Sequence, residues 1–335
     1  MFDSCRGHLS AFLSCHLFSW LTASIGTRAH SHGETPHAWR RGQLFVALAA
    51  VAWSTAGVLQ RELTVDTATQ IAGRALFAFL FLAALVTVST RGRALAAFRS
   101  MGMAGVAVAL CTAIASGSFI VALNHARVAN VLFMQAVAPI AAALLAWVAL
   151  REAVSRRTVV AMGVGVLGVA LMVGGPGSGG PLGVAVSLLM TLAFAAGIVI
   201  TRHRRDVSMA PAVCLSQLIV LVVFAPLGHP GTLTSRDVAL LVALGVGQMG
   251  LGLAFLIVGA RLIPAAEVAL ITLLEVVLAP LWVWISISEK PATATLVGGA
   301  IVVLAVVVQT TGRESVPVEL AQPRVTDPEV VRDLV

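Results

Sequence analysis

VLFMQAVAPIAAALLAWVALREAV, residues 131–154, and VALITLLEVVLAPLWVWISISEKP, residues 268–291, are apolar stretches of equal length that set Trp147 opposite Trp284 and Glu152 opposite Glu289. Each is long enough to cross a hydrocarbon core as one helix, which takes about 20 mainly apolar residues. Each also holds an interior proline, Pro139 in the first and Pro280 in the second. A weaker match lies upstream in both halves: RGQLFVALAAVAWSTAGVLQRE from residue 41 resembles LGVAVSLLMTLAFAAGIVITRH from residue 182, with Trp53 opposite Phe194 and Arg61 opposite Arg202. The chain therefore reads as a duplication.

Working outward, ten segments are apolar enough to span a bilayer, near 43–60, 68–89, 102–123, 128–150, 157–174, 181–201, 209–227, 237–259, 264–287 and 292–311. The turn-rich run GGPGSGGP at 174–181 divides them five and five. Five spans is an odd number, so the second copy must enter the membrane in the opposite sense, as in inverted-repeat transporters. The fold expected is an all-α polytopic membrane protein with ten transmembrane helices in two inverted five-helix repeats. Its divisions are an N-terminal extension over 1–39, repeats over 40–175 and 176–313, and a tail over 314–335 with mixed charge and three prolines, read as disordered.

Composition agrees: 59% of the 335 residues are hydrophobic and only 11% charged, too few polar groups to cover a water-soluble surface. A net charge of +7 raises nucleic acid as a partner, but the arginines sit singly or in short clusters between apolar runs and form no basic face. Their placement follows membrane topology instead. With the N-terminus inside, the inner loops collect thirteen basic residues, among them Arg151, Arg202, Arg204, Arg205 and Arg261, whereas the outer loops keep four, Arg61, Arg127, Arg236 and Lys290. Both termini are expected in the cytoplasm, in a multi-pass protein of the inner membrane.

The extension has a short apolar stretch after an early arginine, but Ser, Cys and His interrupt it. A signal peptide, a disordered extension and a start codon assigned too far upstream are the three readings of it. His30, His32 and His37 lie in a Ser/Gly/Pro-rich stretch, where solvated histidine is the usual state, so no metal is assigned. The four cysteines, Cys5, Cys15, Cys111 and Cys214, are widely spaced and indicate neither zinc nor a disulfide framework. The two G-x-G-x-x-G matches, Gly163 to Gly168 and Gly245 to Gly250, fall inside apolar runs with no preceding strand, so they read as close helix packing and not as a dinucleotide site. No hydrolase or zinc-protease signature appears within a span, and the chain reads as a transporter without cofactor, not an enzyme.

The run from Ala122-Leu123 through Ala126, Pro139, Trp147 and Glu152 to Gly163 and Gly168 resembles the EamA-type repeat of the drug/metabolite transporter superfamily, and it recurs around Glu275 to Glu289. The resemblance covers about 40–313. It implies ten helices in two inverted halves, cytoplasmic termini, and movement of metabolites such as amino acids, often outward. The chain departs from the pattern where the second repeat usually reads Glu-Pro, since it has Glu275-Val276 with the proline at Pro280, and Arg151-Glu152 stands in the first half where a small residue usually precedes the acid.

Candidate site residues are polar groups deep in apolar runs, because a charge at the bilayer centre costs at least about 2.5–3.5 kcal/mol. Glu275 is central to the ninth span, and Arg74 lies within the second with Gln70 one turn earlier. Snorkelling toward the headgroups is the alternative for Arg74. Pro139 frees the carbonyl of Gln135 and Pro280 that of Val276, so each half is expected to break its helix beside a polar group, unless the prolines only kink for packing. Trp53, near the middle of the first span, and Thr272 complete the set. Arg74 with Glu275 suits the carboxylate and ammonium of a zwitterion. The expected function is secondary transport of small metabolites by alternating access, with the bilayer and a small-molecule substrate as partners and protons as candidate coupling ion. An uncoupled facilitator and a non-transporting membrane subunit are the alternatives.

Overall fold

The computed structural model of the chain describes residues 36–311 except 126–127, 153, 174–180, 230, 232 and 288–291. Nearly all of the extension, the tail, most of the glycine-rich connector and the Ser288-Glu289 pair thus lie outside the described residues. Every regular element among those described is helical. The first span is built of α1 (Pro36–Ser54) and α2 (Ala56–Arg61), the second is α3 (Thr67–Ser89), and a short α4 (Ala94–Ser100) leads to the third, α5 (Gly102–His125). The fourth span is α6 (Val128–Ala136) with α7 (Ala138–Leu150), and the fifth is α8 (Arg156–Val173). The sixth is α9 (Pro181–His203) and the seventh α10 (Ala210–Phe224). The eighth runs through α11 (Ser235–Val242), a π-helical segment Ala243–Gly250 and α12 (Leu251–Ala260). The ninth is α13 (Ala265–Thr272) with α14 (Leu274–Ile287), and the tenth is α15 (Thr293–Thr311).

All ten expected segments are helical, and nine of them, among the described residues, are long and apolar enough to cross a membrane. The exception is α8, which adjoins residues 174–180 outside those described.

The halves interlock. The third span packs against the sixth, and with the halves exchanged the eighth packs against the first; second pairs with seventh, fourth with ninth and fifth with tenth. An axis relating two inverted repeats requires this pattern. The fifth and tenth spans touch backbone to backbone, since a Cβ on Gly168 would lie 2.8 Å from the Gly298 carbonyl and one on Gly298 would overlap that of Gly168. The glycine motifs thus serve close packing. Large apolar side chains such as Leu80, Val88, Leu167 and Ile285 stand exposed on the outside of the bundle, a surface suited to lipid and not to water.

Candidate functional site

Four spans are irregular at their middle. In the fourth, Pro139 sits in the first turn of α7, and without an N–H it leaves the carbonyl of Gln135 out of the helix ladder. In the first and ninth spans no proline is involved. There Ser54 donates to the Val51 carbonyl, Thr55 to that of Ala52 and Thr272 to that of Ala269, each at 2.7 Å. Such hydroxyl bonds to a preceding carbonyl compete with the backbone ladder and bend helices. The ladder then tightens at the break in the ninth span, where the Leu273 N–H reaches Leu270 at 3.1 Å and the Val276 N–H reaches Leu273 at 3.0 Å. The eighth span is irregular through its π-helical segment.

All four irregular spans contribute to one cavity of about 140 Å³, lined among others by Trp53, Arg74, Gln135, Phe194, Gln248 and Glu275. A cavity of about 150 Å³ holds a molecule of benzene size, so this one suits small metabolites. Gln135 donates from Nε2 to Glu275 Oε2 at 3.3 Å, joining the breaks of the fourth and ninth spans. Arg74, only 4% exposed, donates to Ser116 Oγ on α5 at 3.4 Å. Each charge therefore has a neutral partner, and the two make no ion pair with each other. Trp53 meets Phe194 edge to face, ring centroids 6.1 Å apart, so the residues matched between the repeats meet at the cavity wall. Thr191 donates to the Met134 carbonyl at 3.0 Å, tying the sixth span to the break in the fourth.

Three expectations need correction. Gln70 does not line the cavity; its amide donates back to the Val65 carbonyl at 2.9 Å, because a glutamine in the first turn of α3 can reach the connection before it. Thr272 is buried and shapes the backbone, its hydroxyl being used within its own helix. Pro280 does not break its span: α14 runs through it, and it lines a separate apolar groove against α15. Membrane helices tolerate proline where neighbours fill the gap, and the break falls earlier, at Leu273. Of the other tryptophans, Trp147 is 60% exposed and Trp284 40%, while Trp282 donates to Ser54 Oγ at 2.8 Å.

Just beyond the cavity lies the arginine-rich end of the bundle. Thr201 and Ala260 line the cavity, and the next residue on each span is an arginine. Arg202 pairs through Nε with Glu152 at 3.1 Å and donates to the Arg261 carbonyl at 3.1 Å. Arg261 donates twice to the Arg205 carbonyl, at 2.9 and 2.7 Å. Burial lowers the affinity of the Arg261 guanidinium for its proton, and nearby Asp206 opposes that shift. The ends of the fourth, sixth and eighth spans are thereby tied together below the cavity. Deeper between the fifth, ninth and tenth spans, Gln309 donates to Thr158 Oγ1 at 3.0 Å and to Glu267 Oε1 at 3.2 Å. Among the described residues no group of His, Cys, Asp and Glu side chains could hold a metal ion.

Residues 40–174 and 181–311 each match the model of the EamA-like transporter family. The chain belongs to the EamA-like transporter family. It is accordingly a multi-pass membrane protein of the drug/metabolite transporter superfamily. A crystal structure of another protein superposes on this EamA-like chain with a TM-score of 0.70 at 17% identity, over 80% of this chain and 96% of the other, a likeness of fold. No curated protein matches it significantly.

Sequence reasoning missed several polar residues of this EamA-like cavity, among them Ser116 and Gln248. Ser116 is an unremarked serine in an apolar helix, and Gln248 sits between the glycines of GVGQMG, where the motif drew the reading toward packing. A polar residue of an apolar run was the available signal in both cases.

Proposed function

We propose that this EamA-like protein is a secondary transporter that exports small metabolites such as amino acids across the cytoplasmic membrane by alternating access, with both termini in the cytoplasm. The observation that carries the reading is that Arg74 and Glu275, of opposite charge, line one small cavity without pairing with each other. Charges placed within apolar spans are costly, and a pair that served structure alone would be expected to neutralise itself. Left apart, the two suit the carboxylate and ammonium ends of a zwitterion. The tied arginine-rich end favours a cavity that is closed toward the cytoplasm, and the excess of basic residues there supports the orientation.

Counterflow of labelled amino acids in proteoliposomes tests the reading. The native protein is expected to exchange substrate in a manner that depends on a proton gradient, and Glu275→Gln to remove that dependence or to weaken substrate binding about tenfold or more, while still inserting. Exchange that ignores the gradient in the native protein would favour the facilitator. Absence of any exchange would return the chain to the class of non-transporting subunits. Efficient labelling of a cysteine placed at 202–206 from outside intact cells would reverse the orientation.

A further inference from the structure

The third span, α5, turns one face to the cavity, where Val108, Thr112, Ser116 and Phe119 line the wall at helical spacing. Leu110 and Ile114, two residues to either side of Thr112 and so on the opposite face, are 47% and 42% exposed on the outside of the bundle. The two hydroxyls of the cavity face differ from the others in the spans. A hydroxyl in an apolar helix commonly returns its proton to a carbonyl of that helix, as Thr191 does to Ser187, Thr201 to Gly197 and Thr272 to Ala269, at 2.9, 2.8 and 2.7 Å. Thr112 makes no hydrogen bond among the described residues, and Ser116 only accepts one, from Arg74 Nη2 at 3.4 Å. Both side chains are half-buried, and neither hydroxyl is enclosed by protein.

Arg74 completes the group. Its Nε and Nη1 have no partner among the described residues, and neither atom is enclosed, in contrast to Nε of Arg157. No described carboxylate stands within ion-pair distance of it. Ser116 follows Thr112 by four residues, so their side chains leave the helix about 5–6 Å apart, a gap that the two oxygens of one carboxylate can bridge. The sixth span leaves room for such a group: Gly197 lines the cavity there, and a Cβ on it would come within 3.9 Å of Thr112 Oγ1. The guanidinium can only donate, and each hydroxyl has its proton free. A ligand that meets all three presents acceptor oxygens, and beside a guanidinium the strongest acceptor is an anion.

We infer that Thr112 and Ser116 donate, together with Arg74, to the carboxylate of the substrate, and that this face of the third span selects for a free acid. The inference rests on the reading of Arg74 as the carboxylate end of a zwitterion site. It fixes the carboxylate along the third span and leaves the ammonium to Glu275 and Gln135 across the cavity. A molecule without a carboxylate leaves the donors unpaired, which is how a mostly apolar pocket discriminates most strongly.

Valine and its two fragments read the group directly: isobutylamine lacks the carboxylate, and isovalerate lacks the ammonium. Dissociation constants of all three are measured by thermal stabilisation of the purified native protein and of Thr112→Val and Ser116→Ala. Thr112→Val keeps the branched shape without the hydroxyl. Each substitution is expected to weaken valine and isovalerate about tenfold, the scale of a hydrogen bond to a charged group, and to leave isobutylamine within about twofold. Thr112→Ser, which restores the hydroxyl, is expected to recover most of the loss for both acids. Losses that fall equally on all three ligands, or on none, would overturn the carboxylate role of these hydroxyls, and if valine still binds tighter than either fragment the zwitterion reading stands without it. Isovalerate binding that depends on Thr112 and Ser116 while valine binds no better than isovalerate would support the carboxylate group and overturn the zwitterion reading. A native protein that binds neither acid would overturn both.

Discussion

The fourth and ninth spans occupy equivalent places in the two repeats, and the alignment that sets Trp147 opposite Trp284 also sets Gln135 opposite Thr272, Ala138 opposite Glu275 and Pro139 opposite Val276. Both spans break within a residue of the same position, after Ala136 and after Thr272. The means differ. In the fourth span a proline withholds a donor, whereas in the ninth a threonine hydroxyl takes over a carbonyl at 2.7 Å. The cavity side differs more, since the carboxylate of Glu275 has only the methyl of Ala138 as its counterpart, and both residues line the cavity. The repeats thus share a backbone device and divide its chemistry: the fourth span supplies the amide of Gln135, the ninth the acid that receives it. An inverted pair of halves can exchange conformations while its binding groups stay unsymmetrical.

The largest effect is expected where that asymmetry is attacked. Glu275→Ala gives the ninth span the fourth span's residue and removes the only acid of the cavity wall among the described residues, with a loss of substrate affinity of roughly 10- to 100-fold, the range for hydrogen bonds to charged groups. The double change Glu275→Ala with Ala138→Glu restores a carboxylate to the cavity from the other repeat. If position matters, affinity in equilibrium binding stays low; recovery to native affinity would show that the halves are chemically interchangeable.

Next comes the pair of prolines. Pro139→Ala returns an N–H within reach of the Gln135 carbonyl and favours a continuous fourth span, so transport is expected to fall several-fold, up to about tenfold, in a protein at least as heat-stable as the native one. Pro280→Ala, in a helix already continuous, should leave exchange rates within about twofold. Equal losses from both would mean that Pro280 acts on the cavity from its groove against α15.

These two prolines also mark what the sequence could and could not disclose. Long apolar runs, their number and their pairing were legible because a bilayer allows few solutions for a backbone with no water to bond. Glu275, Arg74, Gln135 and Trp53 were legible as polar or aromatic residues in those runs, and the cavity gathers all four. The path of the backbone was not. A proline is an obvious interruption, yet Pro280 is absorbed into α14, while the break at Leu273 comes from a hydroxyl bond that costs no unusual residue. The π-helical segment has no signature beyond its glycines, so Gln248 stayed hidden. Gln70 was placed by helix periodicity alone, and its amide turned instead to Val65, outside the period altogether.

Thr272→Val tests the quieter of the two breaks. The substitution keeps the branched shape and removes the hydroxyl, so the Ala269 carbonyl is released to the helix ladder and the ninth span straightens in part. Neighbouring packing still opposes full repair. The expected result is a loss of exchange of about two- to fivefold, smaller than for Pro139→Ala, since one competing hydrogen bond is worth about 1 kcal/mol. Thr272→Ser retains the hydroxyl and should retain transport. A valine variant with native exchange would assign the break to packing alone.

The smallest effect belongs to another equivalent pair, the second and seventh spans, which differ at their first turn. The second opens on Asp66, whose carboxylate accepts from the Thr69 N–H at 3.0 Å and from its hydroxyl at 2.7 Å. The seventh opens on Met209, with no side-chain cap. The hydroxyl and then the amide of Thr69 hold the Asp66 carboxyl below its ordinary value, against an opposing effect of burial, and the backbone amide of His229, then its ring 3.8 Å away when protonated, add to the shift. A carboxyl with a depressed folded pKa stabilises the fold fully above its unfolded value, near 3.9, and loses that contribution as pH falls through the lower folded value. Asp66→Asn keeps an acceptor for the Thr69 amide without the charge, so it should flatten the acid side of the melting profile between about pH 5 and the folded pKa while the helix stays capped at neutral pH. Asp66→Ala should lower the melting temperature slightly at neutral pH and less in acid, where the native cap is already protonated. An Asn variant whose melting temperature follows the native acid profile at every pH would mean that other carboxylates set the acid limit and that this cap contributes through geometry alone.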